Sequence, residues 1–457
     1  MKKSVTLIIL FISFITYISF IGDDNKPVAI PKTEQRSGDA TQGYKYLITG
    51  DYLKSGLPYN FFLMGLGKDK KNYLNRDSIN KDISYEFTAV KAPNGELVVA
   101  PNCLQCHAQV FDGQLYVGMG NSSMDFTPQK SIERNAKKLY SFLSVFGAKK
   151  LEASKSFLVA TKTLAPYLYT DVRGVNAAGR LAALLVAHRD PTTLKWSDKP
   201  LMYVPKEVIP TDVPAWWLLK KKNAMFYNGF GRGDFSKFLM ASNLLTVTDT
   251  TEANEVYSHF NDVLAYINSI QPPKYPKQIN EALAEQGHQL FNNNCSKCHG
   301  TYGENWTYPN LLIPASIIRT DSALFQSNYS YPQFVEWFNK SWFTSGATPA
   351  KLVPYNGYIA PPLDGIWVTA PYLHNGSVPT LEGVLNSKIR PAYWSRNFDK
   401  PEYNYESPGW KYEQHEDARQ KNTYNTSLLG YSNAGHYFGD KFSDGERKAV
   451  IEYLKTL

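Results

Sequence analysis

Apolar positions three and four residues apart mark the helices of this chain. In QINEALAEQGHQLFNNN, residues 278–294, Leu283, Gly287, Leu290 and Phe291 share one face. In residues 443–457, Ser443 and Glu446 form a capping box ahead of a stripe of Val450, Tyr453, Leu454 and Leu457. Ile132, Ala136, Leu139, Leu143 and Phe146 repeat at the same spacing, and VNAAGRLAALLVAH, residues 175–188, reads as a buried helix. Long stretches rich in Tyr, Pro and Asn lie between these, and strand patterns are few. The pattern predicts a mainly α protein with long irregular loops.

The same pattern sets the organisation. Lys2 and Lys3 precede an almost wholly apolar run from Val5 to Ile21, and polar sequence resumes at Asp23. This is the form of an export signal. No small-x-small cleavage site follows it, and the run approaches the length that spans a bilayer. Residues 1–22 are therefore read as a signal peptide or an N-terminal membrane anchor. The body belongs in the periplasm or another extracytoplasmic place, free or anchored. No later segment is apolar enough to span. SIQPPKYPKQ, residues 269–278, sets three prolines within five positions, which stiffens and interrupts structure. It divides the rest into an N-terminal domain, 40–273, and a C-terminal one, 274–457. The net charge is +8, with lysines spread along the chain, so no nucleic-acid stripe is expected. A mildly basic surface suits an acidic partner, or simply solvation.

The candidate chemistry lies in the cysteines. There are four, in NCLQCHAQ and NCSKCHG. Cys103, Cys106 and His107 form one Cys-x-x-Cys-His unit; Cys295, Cys298 and His299 form the other. Such a unit can hold zinc, make a redox disulfide or attach haem c. A zinc site needs a fourth ligand close by, whereas these pairs are far apart in sequence and each has its own histidine. A redox pair does not need that histidine. Two units that use every cysteine point to two covalently bound haem c groups, each with its histidine on the iron. The expected architecture is two cytochrome c-like haem domains.

What fills each sixth position decides between carrying electrons and doing chemistry. Eight histidines are present. His259, His288 and His415 read as surface residues. His374 and His436 sit in the glycine-containing stretches YLHNGSVP and SNAGHYFG and are ligand candidates for the second haem. For the first, the choices are an open position, Met119 or Met124 in VGMGNSSMDF, or His188 at the end of an apolar helix, which reads first as a core histidine.

PPLDGIWVTAPYLHNGSVPTLEGVL, residues 361–385, resembles the C-terminal hallmark of the bacterial dihaem cytochrome c peroxidase superfamily. That superfamily also holds the methylamine-utilisation dihaem enzyme and a rubber-oxygenase branch. DVPAWWLLKKKNAMFYNGFGRG, residues 212–233, is similar to its N-domain stretch. NAGHYFG, 433–439, resembles the rubber-oxygenase branch. The resemblance implies that His436 is the sixth ligand of the C-terminal haem, with His374 close to it. It also implies a calcium ion between the domains, with Asp212, Thr369 and Pro371 at the matching positions.

The departures are as informative. DFSKFLMASNLLTVTD, residues 234–249, lacks the glutamate and glutamine with which the peroxidases cleave peroxide, and Tyr227 replaces a tryptophan. An apolar set, Phe235, Phe238, Leu239, Met240 and Leu244, takes their place, either as a substrate lining or as packed core. Two functions follow. One is an oxidoreductase acting on peroxide or dioxygen at the N-terminal haem, with His107, Tyr227 and Trp216 as catalytic candidates. Its C-terminal haem relays electrons, and Trp216, Trp217, Tyr227 and Trp367 are candidate aromatic stepping residues. The other is an electron-transfer cytochrome with both irons six-coordinate. Either needs an exported electron donor or acceptor protein, and the first needs a small-molecule oxidant.

Overall fold

The computed structural model describes residues 25–457. The expected signal or anchor, 1–22, lies outside them. The frame helices are α1 (Ala40–Thr49), α2 (Tyr59–Leu66), α3 (Lys130–Phe146), α4 (Ala148–Leu164), α5 (Ala178–Ala187), α6 (Thr250–Ser269), α7 (Glu281–Asn294) and α8 (Asp444–Leu454). Their starts follow local chemistry. Asp39, Asp249 and Asn280 accept from the first free amides of α1, α6 and α7, and the Ser443–Glu446 capping box starts α8.

The fold is not mainly α. Helix makes up 40% and strand 13%, in several small sheets, so helix and strand are mixed. The strands are two to five residues long, too short to show an alternating pattern. Their turns were nevertheless written in the sequence. Ala108–Phe111 and Gln114–Val117 pair directly after the first motif, around Asp112 and Gly113, both at positive φ, the signature of a tight hairpin. Phe87–Lys91 and Leu97–Pro101 pair around Asn94-Gly95. A third sheet joins distant parts of the chain, with Val28–Ala29 and Gly357–Ile359 flanking Leu311–Pro314.

Two large cores lie around the two motifs. The first gathers Leu104, Ala108 and Trp216 with Phe260 and Val263 of α6, and takes in Trp337, Phe338 and Trp342 from beyond the proline-rich segment. The second gathers Phe291, Val450, Tyr453 and Leu454, and takes in Phe111, Met119 and Trp217 from before that segment. The extended stretch between α6 and α7 thus separates two cores that each draw on both halves of the chain. α7 and α8 pack directly on each other. A Cβ on Gly287 would collide with the Ala449 carbonyl, so only glycine permits this crossing. Together the two helices form one wall of the cavity described next.

Candidate functional site

The second motif occupies a short helix, Ser296–His299, directly after α7. It opens on a cavity of about 1740 Å³, solvent mouth included, whose lining includes Cys295, Cys298, His299 and His436. The walls are mostly apolar, from Phe291, Leu385, Phe442, Val450 and their neighbours. His299 donates from Nδ1 to the Pro361 carbonyl at 2.8 Å. That bond fixes the tautomer and leaves Nε2 free as a ligand. Burial holds His299 below its usual range. His436 is pushed down to about 4 by burial, with the neighbouring His299 and Arg390 charges adding to the effect. Both imidazoles are therefore neutral, the state that binds a metal.

The two ring centroids are 6.2 Å apart. Imidazoles on opposite sides of one metal, bound through nitrogen bonds of about 2 Å with ring radii of about 1.1 Å, would have centroids about 6.2 Å apart. The residues present fit haem c on three counts: a histidine next to the cysteine pair with its tautomer fixed, a second histidine facing it across the cavity, and mostly apolar walls.

His436 reaches this position through its loop. Gly435 has φ +84°, and a Cβ there would collide with the backbone of Arg319 and Thr320. His436 itself is left-handed, and its amide bonds the Ile318 carbonyl at 2.8 Å. The Arg390 guanidinium bonds the carbonyls of Asn433 at 2.6 Å and Gly435 at 2.7 Å, and so clamps the loop. Sequence reasoning missed Arg390, because an arginine that binds only carbonyls carries no motif. His374 is buried in the same cavity wall, stacked on Tyr358, with its Nε2 engaged by the Tyr358 hydroxyl at 3.0 Å. Burial takes it down to about 3.

At the first motif, Asn121 bonds the Cys106 and Gln105 carbonyls, and the Gly118 amide bonds the His107 carbonyl. The loop 118–121 is thus folded back on the motif. His107 is stacked on Trp216, with centroids 4.5 Å apart and planes 17° apart. Its Nδ1 is buried without a hydrogen-bond partner, and burial pushes it down to about 3. Burial pushes Cys106 up to about 12 and raises Cys103. A reactive redox pair usually has a depressed thiol, and burial acts in the opposite direction here. Zinc does not fit: among the described residues no group of three or more His, Cys, Asp or Glu could hold a metal ion.

Of the remaining candidates, Met119 is fully buried in the second core and Met124 is buried. His188 is buried, donates from Nδ1 to the Ser197 carbonyl and stacks on Trp196. Phe235, Phe238, Met240 and Leu244 belong to the core that surrounds the first motif, with Leu239 packed against it.

One segment joins the sites. The Trp216 amide bonds the Gly118 carbonyl, and Trp216 faces His107. Its neighbour Trp217 lies in the second core together with Trp367, and Asp212, Val213, Pro214 and Ala215 line the second cavity. Tyr227 also lines the second cavity, donating to Asp212 at 3.0 Å. The structure therefore brings Tyr227 beside the second motif, while Trp216 alone of the other catalytic candidates touches His107. Burial pushes Asp212 up to about 7, against the Tyr227 hydrogen bond and the Arg396 charge, which lower it. Asp212, Thr369 and Pro371 share the cavity wall. Calcium takes six to eight oxygens, with several carboxylates as a rule; a single carboxylate, raised and already bonded by a tyrosine, does not fit that ion, so no step is derived from it.

Residues 357–395 match a protein-family model described as RoxA-like, cytochrome c-like. The stretch contains Tyr358, Pro361, His374 and Arg390, and it supports a cytochrome c-like family and haem c binding. The chain is also similar to two uncharacterised proteins of Sinorhizobium fredii. It is 25% identical to y4iM over 320 residues, 62% of this chain and 71% of that protein. It is 28% identical to y4iJ over 255 residues, 41% of each, so it spans well under half the length of that second relative.

Proposed function

We propose that the chain is an exported dihaem c-type oxidoreductase of the peroxidase-like kind, acting on peroxide or dioxygen at the N-terminal haem. The second site stores or relays an electron for it. Haem c supplies one-electron chemistry and, where its sixth position is free, a place for a small oxidant. The observation that carries the reading is the His299–His436 pair, at axial spacing in the cavity of the second Cys-x-x-Cys-His unit. Two histidines there exclude a substrate and leave a relay role. Substrate chemistry then falls to the first unit, which has no comparable histidine pairing.

Several residues support this division. Pro361 orients His299, and Arg390 holds the loop of His436. The Trp216–Trp217 pair runs from the face of His107 to the second core, which supports a short aromatic path between the sites. Phe235, Phe238, Met240 and Leu244 around the first unit are packed core, which keeps His107 in apolar surroundings. The basic, apolar N-terminus and the spending of every cysteine on the two units support export to the periplasm. Among the described residues no helix is long and apolar enough to cross a membrane. A soluble electron-donor or acceptor protein completes the scheme.

One observation favours the second reading, a pure electron carrier: residues 234–249 offer neither glutamate nor glutamine as a proton donor. Carbon monoxide and cyanide titrations separate the two. An enzyme should bind one equivalent per chain, with haem measured at two per chain, and His107→Gly should abolish both binding and turnover. A protein that binds neither ligand in any redox state is a carrier.

A further inference from the structure

The most exposed apolar side chains of the molecule lie together, far from any need of the cavity. At the end of α2, Met64 is 82% and Leu66 67% exposed; at the end of α3, Val145 is 70% and Phe146 76% exposed. The two ends belong to one surface. Phe61 of α2 meets Phe142 of α3 with centroids 5.9 Å apart, and Phe142 meets Phe146 at 5.4 Å. Phe142, Val145 and Phe146 stand three and four residues apart, on one face of the helix. Beneath them, Ala136, Leu143 and Leu158 form a small closed core, so the outer residues are surplus to packing. Isolated exposed apolar residues are ordinary, but a contiguous set this prominent marks a contact surface.

The charge around this edge identifies the contact. Residues 130–155 carry seven Lys or Arg against two Glu, so this short stretch holds five of the chain's eight net positive charges. Lysines occur along the whole chain, but the sequence itself is locally basic here. Lys149 is exposed just beyond the α3 end, Lys138 and Arg134 are exposed about two and three turns back along the same helix, and Lys70 and Lys71 follow α2. The local acids are partly used: Glu133 pairs with Lys137 and Asp82 with Lys68.

We propose that this edge docks on an anionic lipid bilayer, with the α2 and α3 ends inserted among the acyl chains and the lysines and arginines on the headgroups. Apolar prongs ringed by cations are the pattern of interfacial anchoring. The side chains stand out from the surface instead of lining a groove, so they need a deformable partner rather than a matched protein pocket. A second copy of the chain would set one cationic ring against another. The contact uses residues of α2 and α3 alone.

Hydrogen exchange on the full chain tests this. Vesicles of phosphatidylcholine with phosphatidylglycerol should protect residues 62–70 and 140–150, and phosphatidylcholine alone should do so far less. Neutralising three cations, with Arg134→Gln, Lys138→Gln and Lys149→Gln together, should raise the lipid needed for half-protection about a hundredfold at low salt, at about fivefold per cation. Val145→Ser with Phe146→Ser, at an exposed helix end and with an unchanged thermal midpoint, should also lose the protection. The proposal is overturned if the chain binds anionic vesicles without protecting those segments. It is overturned equally if protection appears without lipid as protein concentration rises, which would make the edge a self-association surface.

Discussion

Replacing Gly435 by alanine tests how His436 is presented. The residue has φ +84°, and a Cβ built there lies 2.5 Å from the Arg319 carbonyl oxygen and closer still to the neighbouring backbone atoms of Arg319 and Thr320. Ordinary carbon–oxygen contact needs about 3.4 Å, so the loop must move by about 1 Å. The left-handed conformation costs alanine about 1–2 kcal/mol more. His436 is the next residue, and its spacing from His299 matches two metal bonds of about 2 Å each. With haem c bound, a displacement of about 1 Å would take His436 out of reach of the iron that His299 holds. The ferric protein should lose its low-spin signal from the second haem and gain a high-spin one, with haem content unchanged. Gly445→Ala is the control: a Cβ there meets nothing within 4 Å, and the spectrum should not change. If Gly435→Ala keeps the full low-spin signal, either the loop does not position His436 or His436 is not the ligand.

Two other outcomes follow from the same geometry. Arg390→Met removes the bonds to the Asn433, Gly435 and Gly383 carbonyls, which should cost about 2–3 kcal/mol and give a temperature-dependent mixture of low- and high-spin second haem in absorbance spectra. Asp212 is raised to about 7 by burial from an unfolded value near 3.8, so the native state holds a proton that the unfolded chain has released. Stability should therefore fall as pH rises from about 4 through about 7, and Asp212→Asn should flatten that slope in thermal midpoints measured across the window.

Different parts of this structure were legible in the sequence to different degrees, for physical reasons. The two Cys-x-x-Cys-His units could be read because covalent attachment fixes their spacing. α7 and α8 could be read because a long amphipathic face repeats often enough to stand above noise, and Ser443 with Glu446 marks a start unambiguously. The strands escaped because two to five residues cannot establish a period; only their turns, Asp112-Gly113 and Asn94-Gly95, announced them, and those were passed over. The exposed edge escaped for another reason: nothing local says that Phe61 of α2 meets Phe142 of α3 or that Val145 and Phe146 stay uncovered. His436 was found through the likeness of NAGHYFG to a known branch, whereas Arg390, which holds that loop, has no local signature at all. Tyr227 was read toward the first haem because it stands at the tryptophan position of the resembled N-domain stretch, yet the turn after 216–221 carries it to the second cavity.

The division of labour between the two irons is the central claim, and electron paramagnetic resonance of the purified ferric protein tests it most directly. The account expects one low-spin signal of a bis-imidazole iron, lost in His436→Ala, beside one high-spin signal that remains. Two low-spin signals from the fully ferric protein with no high-spin signal on half-reduction, or a low-spin signal that survives His436→Ala unchanged, would contradict it.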